Sequence, residues 1–251
     1  ERPPCLEWHV NFADPELFVA YGSGLLAQDE MQVAEHPVLA CVREALLADG
    51  RSARTVEHSR GTPILVRGAE RRIEISTDPD ASAGRPAGLY GGHFAAAPLS
   101  VIRRAVRRID PPTISHIVAI AAPYEGRGAY TLEEIAYAFV TACSAFAAIR
   151  EESRRTTGTA CRTAVHTGFW GCGVLGGDRR LMVALQALAA RSAGIDTLVL
   201  HAGPEPGPDE ARAGLEVADL VTQACGPSCA VRDLARACAE LGFRWGVGDG
   251  N

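Results

Sequence analysis

The segment TGFWGCGVLGGD, from Thr167 to Asp178, holds the residues of this chain best suited to bind an anion; we call it the glycine loop. It stands between residues 161–166, whose β-branched alternation predicts a strand, and residues 179–193, whose Leu and Ala spacing predicts a helix. Glycine permits positive φ and a close approach of backbone to ligand, while free N–H groups and the positive end of a helix dipole favour phosphate. The segment therefore predicts an anion-binding loop.

A second group with chemical potential is Gln28, Asp29 and Glu30, at the beginning of a predicted helix. Adjacent carboxylates repel each other, and apolar surroundings raise the pKa of a carboxyl. A carboxyl with a raised pKa can act as a general acid at neutral pH. The alternative is that these acids only complement the helix dipole in its first turn. The residues by themselves leave both interpretations open.

The elements that would position these groups alternate along the chain. A strand at 5–10 ends just before the polar residues Asn11 and Asp14, and ligands of α/β folds bind at such strand ends. The pattern further predicts a hairpin from strands at 63–66 and 72–77, a helix at 98–108 and a buried strand at 116–122. Strands interleaved with helices predict a three-layer α/β/α domain.

Composition narrows the function classes. The chain has 251 residues, 47% of them hydrophobic, which is enough for one large core, so we expect one domain over 1–251. A net charge of −5 disfavours a protein that depends on the nucleic-acid backbone for affinity. The sequence has no run of eighteen apolar residues, so we expect no membrane span. The eight scattered cysteines resemble small buried side chains more than a disulfide framework, and the expected location is cytoplasmic.

Two cysteine-based alternatives carry less weight. Cys172 stands before a predicted helix, where a thiol could be activated as a nucleophile, but no histidine is placed by sequence to serve it. Cys225 and Cys229 have three residues between them and no histidine nearby, so we expect no zinc site. The sequence predicts neither a metal nor a cofactor.

Two stretches together resemble a known family, the poly(ADP-ribose) glycohydrolases, which are built on a macrodomain. VNFAD at 10–14, followed by QDE at 28–30, is similar to that family's VDFAN and its QEE catalytic signature. The glycine loop is similar to the family's phosphate-binding loop. Weaker similarity runs through 117–120 into the last helix, so it covers most of the chain.

The resemblance implies an α/β macrodomain with a mixed central sheet and a site for ADP-ribose or a related dinucleotide, either free or carried by an ADP-ribosylated protein. Glu30 would protonate the glycosidic oxygen and then activate water, and Asp29 would hold the ribose hydroxyls. This fits ribosyl cleavage, whose oxocarbenium-like transition state needs a proton donor and nearby negative charge. The ligand-binding residues would be Asn11, Phe12, Ala13, Asp14, Gln28, Thr167, Gly171, Cys172, Gly173, Val174, Leu175, Gly176, Gly177 and Ala202.

The sequence also departs from the family's pattern around the ligand. Phe18, Val19 and Ala20 stand where the family has a triple glycine, and Asp29 replaces a glutamate. The region 58–61 lacks the family's tyrosine that covers the ligand, and Ala202 stands where an adenine-side aromatic is expected. Two hypotheses follow: a hydrolase cleaving a ribosyl bond in an ADP-ribose-containing or NAD-like substrate, and a macrodomain module that binds such a ligand without turnover.

Overall fold

Strands and helices alternate along the chain in the computed structural model, which describes residues 5–124, 126–158, 160–226 and 229–248. The strands are β1 (Cys5–Ala13), β2 (Val56–Glu57), β3 (Arg60–Gly61), β4 (Ile64–Ile75), β5 (Val106–Ala121), β6 (Arg162–Thr167) and β7 (Thr197–Leu200). The helices are α1 (Gln28–Glu35), α2 (Val38–Ala48), α3 (His93–Ala96), α4 (Leu99–Ala105), α5 (Leu132–Thr157), α6 (Arg179–Ala193), α7 (Gly207–Cys225) and α8 (Val231–Glu240).

The central sheet is mixed, in the order β4-β5-β1-β6-β7. The pairs β5–β1, β1–β6 and β6–β7 are parallel, and only β4 runs antiparallel to its neighbour β5. Because β1 and β6 are parallel neighbours, their carboxyl ends meet at one edge of the sheet. That edge receives both the residues after β1 and the glycine loop after β6.

Helices cover both faces of this sheet, which confirms the predicted α/β/α layers. Trp8 and Val10 of β1 pack with side chains of α5, α6 and α8 in the main core. On the opposite face, Val33 of α1 and Leu39 of α2 pack over Ala119 of β5. The length and apolar composition of α5 would suffice to cross a membrane, a property it shares with the core helices of many proteins, and its buried face packs in the main core.

Two local predictions are wrong. The expected hairpin at 63–77 is the single strand β4, because Arg67 and Gly68 form an irregularity between Val66 and Ala69 and not a reversing turn. Gly68 has a φ of 71°, as glycine at a bulge can.

The expected helix at 98–108 ends at Ala105, and β5 begins at Val106. Arg107 and Arg108 therefore lie on a strand, where Arg107 pairs with Glu74 of β4. The prolines at 111–112 do not end an element; they lie opposite a second register shift, between Arg71 and Ile73. A bulge tolerates residues that lack an N–H.

Candidate active site

The first turn of α1 is fixed to the central sheet by the Gln28 side chain. Its Nε2 donates to the carbonyl oxygen of Val10 (3.0 Å), and the Phe12 N–H donates to its Oε1 (2.8 Å). The pairing of β1 with β6 ends at His9. Beyond that point, the Gln28 carboxamide hydrogen-bonds the backbone of Val10 and Phe12. Gln28 thus positions the two acids that follow it.

Asp29 lies in a nearly closed environment. The residue is 6% exposed, and its carboxyl accepts a hydrogen bond from Asn11 Nδ2 (2.9 Å). Burial raises the pKa of Asp29 to about 7; the Asn11 hydrogen bond opposes this shift, and the negative charge of Glu30 adds to it. Near neutral pH the group is therefore shared between its protonated and ionised forms, and it can donate as well as accept.

Glu30 is also largely buried, with 7% of its surface exposed. The N–H of Ala27, the residue before α1, donates to its Oε2 (3.1 Å). In the described part of the chain no group hydrogen-bonds its second oxygen, Oε1. The carboxyl is therefore held in one orientation by backbone and keeps one oxygen for a ligand.

The glycine loop is held at both ends by side chains. At its start, Gln186 of α6 accepts from Thr167 Oγ1 (2.6 Å) and donates to the Gly168 carbonyl oxygen (3.1 Å). At its end, the Asp178 N–H donates to the hydroxyl of Tyr130 (2.8 Å). The sequence could have indicated the role of Gln186, because it is a single polar residue within the apolar run of α6. Nothing in the sequence indicated the role of Tyr130.

Within the loop, some amide groups are used internally and others are not. The N–H of Gly176 donates to Gly173 and that of Gly177 to Gly171, each at 3.0 Å. This corrects the expectation that Gly176 and Gly177 present free N–H groups to a diphosphate. In the described residues, six loop amides have no intramolecular acceptor: Gly168, Phe169, Gly171, Gly173, Val174 and Leu175. All of these residues except Gly168 line the cleft described below.

The helix after the loop contributes less than expected. Asp178 caps α6, and its Oδ1 accepts from the N–H groups of Arg180 (3.0 Å) and Leu181 (3.2 Å). This cap satisfies terminal amides and places a carboxylate at the positive end of the dipole. Anion binding by this loop would therefore depend on its own amide groups and not on the end of α6.

One cleft of about 550 Å³ lies between the acids and the loop. It is lined from one side by the end of β1, the turn after it and the first turn of α1, and from the other by the loop. The lining residues are Phe12, Ala13, Asp14, Pro15, Val19, Ala20, Leu25, Ala27, Gln28, Asp29, Glu30, Tyr90, Ala122, Tyr124, Phe169, Trp170, Gly171, Cys172, Gly173, Val174, Leu175 and Arg179.

Comparisons with known proteins place the fold. A family model described as poly(ADP-ribose) glycohydrolase, macro domain fold, matches residues 101–203. The solved structure of the Thermomonospora curvata poly(ADP-ribose) glycohydrolase bound to the inhibitor ADP-HPD is 18% identical and has a TM-score of 0.50, over 84% of this chain and 70% of that one. The chain has the fold of a poly(ADP-ribose) glycohydrolase macrodomain.

Structures of the Deinococcus radiodurans poly(ADP-ribose) glycohydrolase in complex with ADP-ribose are also similar. One is 18% identical over 84% of this chain and 75% of that one, with a TM-score of 0.42. No curated protein sequence matches the chain. The resemblance of this chain to the poly(ADP-ribose) glycohydrolases is thus a distant one.

Several residues expected at the ligand lie elsewhere. Asn11 is fully buried behind Asp29, and Thr167 is buried at the end of β6. Neither they nor Ala202, Gly176 and Gly177 line the cleft. Their contacts make Asn11 and Thr167 supporting residues of the acid and of the loop. Ala202 lies against Gly207. A side chain at Gly207 would collide with the Ala202 carbonyl oxygen and would meet the Phe169 ring.

The turn that replaces the family's triple glycine keeps one glycine-like conformation. Phe18 has a φ of 53°, which is rare for a bulky residue, and its side chain is fully buried beside Leu17 and Leu39. Val19 and Ala20 face the cleft, so apolar side chains stand where glycine would leave bare backbone. Two tyrosines that no sequence motif indicated, Tyr90 and Tyr124, line the cleft.

The structure also bears on the cysteines and on metal binding. The eight cysteines are free. Burial raises the pKa of the Cys172 thiol well above its ordinary value, which disfavours the thiolate that a nucleophile requires. No group of three or more His, Cys, Asp or Glu side chains in the described ranges is placed to hold a metal ion.

Proposed function

We propose that this chain is a hydrolase that cleaves a ribosyl bond in an ADP-ribose-containing or NAD-like substrate, with Glu30 as the general acid and base. The observation that carries the proposal is the single cleft that holds both Glu30 and the unpaired amides of the glycine loop. The fold shared with poly(ADP-ribose) glycohydrolases supports the same reaction class. We further propose that the protein acts in the cytoplasm.

In this proposal, the loop binds the diphosphate through the N–H groups of Gly171, Gly173, Val174 and Leu175. Backbone N–H groups in such a loop suit phosphate oxygens, because they point in fixed directions and bind an anion without a lysine or arginine side chain. Trp170 keeps the loop in place, since it is fully buried and its Nε1 donates to the Ile120 carbonyl oxygen (3.1 Å). The ribose would then extend toward α1.

The two acids divide the chemistry. Asp29, partly protonated near neutral pH, would hydrogen-bond the ribose hydroxyls, and its negative form would stabilise the oxocarbenium-like transition state. Glu30 would protonate a leaving oxygen and then take a proton from the attacking water. The Ala27 N–H engages only one of its two oxygens, and Glu30 lines the cleft, so its other oxygen would be the one that meets the substrate.

The alternative is a macrodomain that binds ADP-ribose or a related dinucleotide without turnover. Val19 and Ala20 favour it, since their side chains occupy space that a triple glycine would leave to substrate. The test is to mix the protein with ADP-ribose, NAD and ADP-ribosylated protein, and to follow binding by calorimetry and products by chromatography. Release of ADP-ribose supports the hydrolase; binding without any product supports the module.

A further inference from the structure

The side of the cleft formed by α1 and its neighbours differs in character from the glycine loop; we call it the acid side. Leu26 and Gly91 exchange two antiparallel backbone hydrogen bonds (3.2 and 3.0 Å), which brings Tyr90 opposite Ala27, the residue before α1. Val19 and Ala20 come from the turn that leads toward α1. We define the acid side as Asp14, Val19, Ala20, Leu25, Asp29, Glu30 and Tyr90, all of which line the cleft.

The acid side offers an apolar and aromatic surface to the group that leaves. Val19 is 43% exposed and Tyr90 39% exposed, so both side chains are accessible. A tyrosine ring with aliphatic neighbours binds a flat ring well, and binds a cationic ring better, because the face of the tyrosine ring is negative. A leaving sugar of a longer chain carries no positive charge, so it lacks the added attraction that the ring face gives to a cation.

The charges of the acid side also favour a cationic leaving group. Asp14, Asp29 and Glu30 are acids, and no lysine, arginine or histidine belongs to this side. Among the described residues that line the cleft, Arg179 is the only cation, and it stands on the loop side, 2.6 Å from a Glu210 carboxylate oxygen and over the Phe169 ring. The acid side therefore repels a second diphosphate and attracts a cation.

We infer that the substrate leaves from the acid side as a planar aromatic group bound through a cationic nitrogen, of the pyridinium class, and not as a further ADP-ribose unit. This inference rests on the proposed hydrolase function. The bond from the ribosyl carbon to the ring nitrogen breaks, and its electron pair neutralises the nitrogen. A water oxygen bonds to that carbon and gives its proton to the Glu30 carboxylate, which returns it to solvent. The leaving ring needs no proton, so Glu30 acts here as the base.

The test compares three substrates on the unmodified protein: NAD as the pyridinium probe, poly(ADP-ribose), and mono-ADP-ribosylated protein. The expected result is release of nicotinamide and ADP-ribose, with a kcat/KM for NAD about tenfold or more above that for a polymer unit. Faster cleavage of the polymer overturns the inference and leaves the hydrolase function standing. If none of the three yields ADP-ribose, the hydrolase function fails and the inference fails with it.

A charge placed on the acid side tests the reason. Val19→Lys adds a cation at an exposed position, and at about 7 Å one charge is expected to lower the ratio of NAD to polymer kcat/KM about three- to tenfold, less at high salt. Val19→Gln controls for the loss of the valine without adding charge. Leu220→Lys, 56% exposed on α7, controls for net charge. A ratio that is equal in the Val19→Lys and Val19→Gln proteins overturns the electrostatic argument.

Discussion

Replacing Glu30 with glutamine separates turnover from binding, because the structure shows what the replacement keeps. The carboxamide oxygen can still accept from the Ala27 N–H, which now holds the carboxylate at 3.1 Å, so the first turn of α1 is retained. The side-chain volume is nearly unchanged in a site that is only 7% exposed. We therefore expect a melting temperature within about 3 °C of the unmodified protein.

The expected loss is in kcat. General acid and base catalysis contributes about 10²- to 10⁴-fold, which corresponds to about 3 to 5 kcal/mol of activation free energy. Affinity for ADP-ribose is expected to change by less than about threefold, since the loop amides that would hold the diphosphate are untouched, and removing a negative charge beside Asp29 does not oppose an anion.

The assay measures released ADP-ribose by chromatography under single-turnover conditions and ADP-ribose affinity by titration calorimetry. Glu151→Gln is the matched control, because Glu151 is an exposed glutamate of α5 outside the cleft. A Glu30→Gln protein with the kcat of the unmodified chain would falsify the catalytic assignment. Equal loss of binding and turnover would show that Glu30 serves the fold or the ligand site and not the chemical step.

Three further changes test the supporting structure. Because the pKa of Asp29 is raised from 3.8 to about 7, the unfolded chain binds fewer protons than the folded one between these values. Stability should fall as pH rises from about 4 through 7, and Asp29→Asn should flatten this dependence in urea titrations; an unchanged slope refutes it. Gln186→Leu leaves the buried Thr167 hydroxyl unsatisfied and should lower the unfolding free energy by about 1 to 3 kcal/mol, measured by chemical denaturation. Gly177→Ala places a Cβ 2.6 Å from the Gly171 carbonyl oxygen and should reduce both melting temperature and ADP-ribose affinity; unchanged calorimetry would count against the loop geometry.

The meeting of the two sequence motifs at one cleft follows from patterns that a sequence contains. Alternating strands and helices predict a largely parallel sheet, and the carboxyl ends of parallel neighbours share an edge. What spacing could not show is how the loop uses its own amides. The sequence of a glycine-rich motif is the same whether an N–H group faces a ligand or a carbonyl oxygen of the loop. Only the folded backbone shows that the N–H groups of Gly176 and Gly177 donate to carbonyl oxygens within the loop.

Two misread elements had tertiary causes. Arg67 and Gly68 have the composition of a turn, yet the pairing of β4 with β5 continues past them as a bulge. Val106 to Arg108 continue a helical spacing, but pairing with Glu74 and its neighbours places them on a strand. In both cases, the backbone hydrogen bonds gained by pairing along the long strand β5 outweighed the local preference for a turn or a helix.

The contact of Gln28 with β1 has a mechanical consequence. Any displacement of α1 relative to the sheet must break two hydrogen bonds to the backbone of a central strand. The carboxyls of residues 29 and 30 therefore keep a fixed height above the sheet edge. Since the facing glycine loop is anchored as well, the distance between the two walls limits the length of ligand that can span them.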